Sequence, residues 1–410
     1  MNKAPQAVRP HVVLVGRCNV GKSTLINALC EQSVALVSAH PGTTTDPVSK
    51  SMELLPYGPV VLVDTAGLDD ETALGRERVK LTERALRKAD LVLLVVETHA
   101  LYPLEQEMLA RLNKRGTHVL VVVNCHTEPS SETLIGSTAP VMAVNALSGQ
   151  GVRALRERIA AALKSAVAEV PLVRDLLTGQ GAVVLVTPID KAAPQGRLIL
   201  PQVQVLRDIL DGGQIALVCR ETELAAALAR LSEPPELVIT DSQVFSLVAQ
   251  ILPGDVPLTS FSLLMARYKG DLPVLVQGVR AIDGLQPQDR VLIVEGCTHH
   301  SQEDDIGRVK VPRLLERKAG GELRFTWAMG PNFTADIAAY RLVVHCGACM
   351  LNRREMLSRL EVAREAGVPI VNYGVLLAHF SGILQRSLAP LMSKKPSDTF
   401  FSPTSHTYNF

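Results

Sequence analysis

The 410-residue chain has almost no excess charge: 42 Lys and Arg against 41 Asp and Glu leave a formal net charge of +1. Without a surplus of positive charge there is no long-range field for nucleic acid or an anionic membrane surface, so neither is expected as a partner. Aromatics are scarce at 4%, with a single Trp, and no basic stripe interleaved with aromatics argues for an RNA surface. Long apolar runs are missing too. The longest, such as "LVLLVV" at 91–96, fall far short of the ~20 residues a spanning helix needs. The opening "MNKAPQAVRPHVVLVG" lacks the apolar core and cleavage site of a secretory signal. Cysteine is sparse: seven, an odd number, unevenly spaced. That argues against a disulfide framework and for a reducing compartment, the cytoplasm, with thiols free or on metal. Low-complexity tracts and fixed-period repeats are absent.

What is there is an α/β pattern that starts three times. Over 11–165, "HVVLVG", "VVLVDTAG", "ADLVLLVVE", "HVLVVVN" and "VMAVNA" read as strands too apolar for a one-sided sheet, separated by amphipathic stretches. Such strands predict a mostly parallel sheet covered by helices on both faces. A second α/β unit follows from about 180, with "AVVLVTP", "QIALVCR", "ELVITD" and "VPLTSF" as short strands. Its helix "PQVQVLRDILDGG" puts Val203, Leu206, Ile209 and Leu210 on one face, either as ordinary core or as a dimer surface. A third unit has strands "RVLIVEG", "YRLVVH" and "VPIVNYG". The expected division is a nucleotide domain at 1–168, a dimerisation domain at 169–268 and a metal-cluster domain at 269–410.

The first unit carries a phosphate loop. "GRCNVGKS" runs from Gly16 to Ser23 between a predicted strand and the helix "TLINALCEQS", matching G-x-x-x-x-G-K-[ST] in strand–loop–helix context. Its backbone N–H groups, with those of Val20, Gly21 and Thr24, can wrap phosphates. Lys22 supplies charge to the β and γ phosphates, and the Ser23 hydroxyl can bind Mg²⁺. "DTAG" at 64–67 ends a strand. Asp64 there can reach the metal's water shell, and the Gly67 N–H can sense a γ-phosphate. "PGTTTDP" at 41–47 offers Thr44 to close over Mg²⁺ as a switch.

These loops resemble the translation-factor-like GTPases, in the branch with the tRNA-modification and ribosome-assembly GTPases, over about 155 residues. The resemblance implies GTP hydrolysis. Leu68 stands where Ras-like proteins have a water-orienting Gln, and Asn19 matches the Asn that helps hold K⁺ beside the phosphates in these relatives. The base-reading loop departs from the family's N-K-x-D: Asn124 is kept, but Cys125 and Thr127 replace Lys and Asp, and "NALSGQG" has Asn145, followed by Ala146, where Ser is usual. Guanine preference is thus implied by the resemblance and weakened at Thr127. Cys125 reads as a partly buried thiol.

The third unit gathers thiols and imidazoles at two strand ends. "RVLIVEG" is followed by Cys297, His299 and His300, and "RLVVH" by Cys346 and Cys349, with His345 as its last residue. Strand C-termini of a parallel sheet line one edge, the usual place for a ligand. Inert thiols, a structural zinc site and an iron–sulfur site all fit these ligand types. Glu303, Asp304 and Asp305 read either as a solvated loop or as a source of one further ligand.

"EGCTHHSQEDDIGRVKVPRLL", "HCGACMLNRREM" and "GVPIVNYGVL", with "TPIDKAAPQGRLILPQVQVLRDIL" in the middle unit, resemble the HydF family of FeFe-hydrogenase maturation GTPases over nearly the whole chain. That resemblance implies a 4Fe–4S cluster on Cys297, Cys346 and Cys349 with a labile fourth position, for which His299 and His345 are candidates. It also implies a homodimer, two radical-SAM maturases that supply a di-iron precursor, and an apo-hydrogenase that accepts it. "GPNFT" departs from the family at Asn332 and Thr334. The alternative is an RNA-directed GTPase, of the tRNA-modification or ribosome-assembly kind, with a structural zinc.

Overall fold

The computed structural model describes residues 9–31, 49–69, 75–98, 100–125, 127, 137–166, 170–189, 198–296, 306–330, 333, 336–349 and 351–392. It divides into two compact units, Met1–Glu169 with Met350–Ser358 and Val170–Cys349 with Arg359–Phe410. Among the described residues no helix is long and apolar enough to cross a membrane.

The first unit is built on six strands: β1 (His11–Val15), β2 (Ser49–Leu54), β3 (Gly58–Asp64), β4 (Leu91–Val96), β5 (Val119–Asn124) and β6 (Val141–Val144), in the order β2-β3-β1-β4-β5-β6. All neighbours are parallel except β2, which pairs antiparallel with β3. The runs of Val and Leu are why the sheet is central. Every residue of β4 and of β5 is buried, and alternate side chains feed two separate cores, one on each face. β2 was not expected. Its sequence SKSMEL buries only Met52 and Leu54, as an edge strand allows.

The second unit holds two four-stranded sheets. One is β7 (Val183–Val186), β8 (Ala216–Cys219), β9 (Leu237–Thr240) and β10 (Leu258–Ser260), ordered β10-β9-β7-β8 and wholly parallel. The other is β11 (Arg290–Glu295), β12 (Arg324–Met329), β13 (Leu342–His345) and β14 (Ile370–Asn372), ordered β12-β11-β13-β14 and also parallel. β12 is the unexpected strand. RFTWAM sits at an edge with no residue fully buried, so its apolar signal is weak. The helix Leu200–Asp211 splits the face assigned to it: Ile209 is buried and Leu206 partly buried, whereas Val203 and Leu210 are about half exposed.

Candidate functional site

The phosphate loop runs from the end of β1 into the helix Lys22–Glu31. Two glycines permit its path. A Cβ on Gly16 would lie 2.2 Å from the Val95 carbonyl oxygen, and one on Gly21 2.2 Å from Asn124 Nδ2. Asn19 adopts a left-handed φ of 64°, a conformation Asn tolerates better than most residues. Lys22 is buried, and its Nζ donates to the carbonyls of Gly16 at 3.1 Å and Arg17 at 2.8 Å. Burial pushes this ammonium below its ordinary pKa, against the pull of Asp64.

Ser23 Oγ donates to Asp64 Oδ2 at 2.5 Å, while the buried Asp64 Oδ1 has no hydrogen-bond partner among the described residues. A hydroxyl and an unsatisfied carboxylate oxygen side by side are the donor set Mg²⁺ takes. Gly67 packs directly on the loop: a Cβ there would meet the Cys18 sulfur at 2.1 Å. The Leu68 N–H donates to the Gly16 carbonyl at 3.1 Å, and its side chain packs on the core, so it brings no polar atom to a water. Thr44 lies outside the described residues.

Asn124 and Asn145 fasten the base-reading loops. Asn124 Nδ2 donates to the Val20 carbonyl at 3.0 Å, and its Oδ1 accepts from the Ala146 N–H at 3.0 Å. Asn145 Oδ1 accepts from the N–H groups of Leu147 and Ser148, each at 3.0 Å, and its Nδ2 donates to the Thr127 carbonyl at 3.2 Å. Thr127 is therefore held beside the last base loop with its side chain exposed. Two groups around the phosphate loop carried no sequence signal. Glu105, fully buried at the start of the helix Pro103–Lys114, accepts from Arg17 Nε at 3.1 Å. Arg17 also lies over the Tyr102 ring, 4.0 Å from its centre. Asp69 Oδ1 accepts the Cys18 N–H at 2.6 Å.

In the second unit β11 and β13 are adjacent and parallel, with Val294 opposite His345. Their ends bring Cys346 and Gly296 together: Cys346 Sγ accepts the Gly296 N–H at 3.1 Å and the Ala348 N–H at 3.4 Å. Burial still pushes the Cys346 thiol up, against those two bonds. Ala348 has a left-handed φ of 53°, which costs a Cβ-bearing residue about 1–2 kcal/mol. Cys297, His299 and His300 lie outside the described residues, as do Glu303, Asp304, Asp305, Asn332 and Thr334. Cys297 is the residue covalently next to Gly296. Among the described residues no cluster of three metal-ligating side chains forms. The donor set nevertheless suits a thiolate-held cluster, because N–H donors aimed at sulfur favour the ionised form.

His345 departs from its expected role. It is fully buried, with Nδ1 donating to the Cys346 carbonyl at 2.9 Å and Nε2 accepting from Arg359 Nη1 at 2.9 Å. Burial, then Arg359, pushes its pKa down to about 3. Both ring nitrogens are committed within the protein, so His345 has no lone pair to give a metal and acts as a strut beneath the thiol loop. Arg359 also donates to the Gly330 carbonyl at 2.7 Å, and Lys269 Nζ to the Ala348 and Cys349 carbonyls, contacts that the sequence did not announce.

Residues 11–125 match the family described as 50S ribosome-binding GTPase, residues 172–270 the Hydrogen maturase F dimerization domain, and residues 273–390 the Hydrogen maturase F tetramerization domain. Among curated proteins, the tRNA modification GTPase MnmE of Koribacter versatilis is 37% identical over 36% of this chain and 33% of its own length. The GTPase Der of Solidesulfovibrio magneticus is 38% identical over 41% of this chain and 40% of its own. The chain thus spans a third to two-fifths of these relatives. Among solved structures, the G domain of the T. maritima FeoB iron transporter is 24% identical over 38% of this chain and 99% of its own, with a TM-score of 0.31. Era in complex with MgGDPNP and a 16S ribosomal RNA fragment is 20% identical over 52% of this chain and 91% of its own, also with a TM-score of 0.31. With a GTPase-family match first and two hydrogen maturase F domain matches end to end over more than half of the sequence, the chain belongs to the hydrogen maturase F family.

Proposed function

We propose that the chain is a GTP-hydrolysing scaffold for assembly of the FeFe-hydrogenase active site. It would hold a 4Fe–4S cluster through Cys297, Cys346 and Cys349, receive a di-iron precursor as cargo from radical-SAM maturases, and pass it to apo-hydrogenase in the cytoplasm. The observation that supports this reading most is the Cys346 sulfur at the ends of β11 and β13, bonded by the N–H groups of Gly296 and Ala348. An inert buried thiol needs no such donors, whereas a cluster thiolate does. When bound, the cluster supplies iron with one position that no Cys fills. His345 is spent on Arg359, which leaves that position to His299, to one of Glu303, Asp304 and Asp305, or to solvent.

In the nucleotide domain, Lys22 would neutralise the β and γ phosphates, Ser23, Asp64 and Thr44 would hold Mg²⁺, and the Gly67 N–H would read the γ-phosphate. Asn19 would help hold K⁺ where an arginine finger acts in other GTPases. Asn124, Asn145 and Ala146 would shape the guanine pocket. The division at 1–168, 169–268 and 269–410 assigns self-association to the middle part. Its exposed Val203, Leu210, Ile215 and Val218 lie on and near the edge strand β8 and the helix Leu200–Asp211, and would serve a homodimer contact. Iron, sulfide and zinc analysis of anaerobically purified protein tests the cluster. Iron and sulfide near about four each per chain are expected, and one zinc without sulfide would sink it.

A further inference from the structure

Lys269 is the last residue of the helix Phe261–Lys269, in the stretch FSLLMARYK. It is 2% exposed. An ammonium is strongly hydrated in water, so burying one needs compensating partners. The partners here lie about eighty residues away in sequence: Lys269 Nζ donates to the Ala348 carbonyl at 3.2 Å and to the Cys349 carbonyl at 2.8 Å. These belong to the loop that carries the two described thiols of the proposed cluster site. The loop is held in an unfavourable path, since Ala348 is left-handed. In a trans peptide the carbonyl and the following N–H point opposite ways. Fixing the Ala348 carbonyl therefore also fixes the direction of the Cys349 N–H.

We propose that Lys269 is a positioning residue for the thiol site: it clamps the Ala348–Cys349 turn and lends one buried positive charge to whatever anionic group the cysteines hold. The proposal rests on the reading that Cys297, Cys346 and Cys349 hold a 4Fe–4S cluster. Cluster potentials respond to nearby charge and to donors around the sulfurs, and a positive charge favours the more reduced, more negative state. Lys269 also closes the helix that ends the dimerization-domain match at 270, so a contact that perturbs this helix reaches the thiol turn through one side chain.

The test uses the full chain purified anaerobically, as wild type, Lys269→Gln, Lys269→Met and Lys269→Arg. Iron and sulfide are measured first. A dithionite titration followed by EPR, one electron per cluster, then gives the midpoint potential, and a chelator gives the rate of iron loss. Lys269→Gln keeps a donor and most of the length but removes the charge. It is the primary variant, with Lys269→Met as the harsher one. Both are expected to hold iron, to have a more negative midpoint potential and to lose iron severalfold faster, while Lys269→Arg restores the potential more than the rate. Lys269→Gln with intact iron and the wild-type potential and chelation rate overturns the inference alone. Wild-type protein without iron and sulfide overturns the cluster reading, and this inference with it.

Discussion

The phosphate loop and the thiol loop solve one problem in two ways. Both follow the C-terminal end of a parallel strand, β1 and β13, and both present backbone N–H groups to a site for negative charge. Each is tied down by a buried lysine that donates to two consecutive loop carbonyls: Lys22 to Gly16 and Arg17, Lys269 to Ala348 and Cys349. The difference is where the lysine comes from. Lys22 belongs to the loop's own sequence, so clamp and loop form one motif. Lys269 arrives from a distant helix, so the thiol loop depends on the packing around it. The phosphate loop carries its geometry with it, whereas the thiol loop borrows its own.

If the two sites are as separate as that comparison implies, the strongest variants should not cross. Lys22→Ala removes the main charge partner of the phosphates and is expected to abolish GTP hydrolysis while leaving iron content at the wild-type level. Cys297→Ser, Cys346→Ser and Cys349→Ser each replace a soft thiolate with a hydroxyl that iron holds poorly. Each is expected to lose most of the cluster absorbance and to keep GTP turnover. A Cys→Ser variant that stops hydrolysis in a folded protein would break the comparison.

The same contrast explains what could be read from the sequence. The phosphate loop was legible because its donors are consecutive residues and the Val- and Leu-rich strands around it announce a two-faced sheet. Ser23 and Asp64 were named as partners of one ion, and they share a hydrogen bond. Adjacent ends for β11 and β13 also followed from pattern, because parallel strands align their C-termini. What stayed hidden depends on tertiary contacts with no period. β2 and β12 are edge strands with little burial. Glu105 looks like any helix-start carboxylate until Arg17 is found against it. His345 looked like a ligand because imidazole beside thiols suggests metal, and only the placement of Arg359 shows its lone pair to be used.

The next largest effect concerns the base loop. Without a carboxylate at 127, guanine lacks a charge-assisted pair of the kind that contributes about 1.5–3 kcal/mol. The Thr127 carbonyl is held by Asn145, so the backbone at this position already sits beside the last base loop. Thr127→Asp is expected to tighten GTP tenfold or more by calorimetry and to sharpen discrimination against XTP. Unchanged affinity would mean that another group, with Glu128 the nearest in sequence, already serves guanine. A smaller effect should follow from salt. Leu68 has no polar atom to orient water and Asn19 matches a K⁺-holding residue, so turnover is expected to rise severalfold in K⁺ over Na⁺. Equal rates would remove K⁺ from the phosphate site and leave the two loops more alike.

The smallest expected effect lies beneath the phosphate loop's sheet. Asp90 is buried just before β4 and accepts the His11 N–H at 2.8 Å. Burial, opposed by that hydrogen bond, raises its pKa from 3.8 to about 6. A carboxyl whose folded pKa lies above its unfolded value binds more protons in the fold. It therefore costs stability as pH rises from about 4 to about 6, and that cost is fully present at pH 7. Asp90→Asn keeps an oxygen for the His11 N–H and stays neutral. At pH 7 it is expected to raise the melting temperature by a few degrees, a gain of about 1 kcal/mol once the weaker neutral hydrogen bond is counted. Below pH 4, where Asp90 is protonated in both states, the gain should vanish.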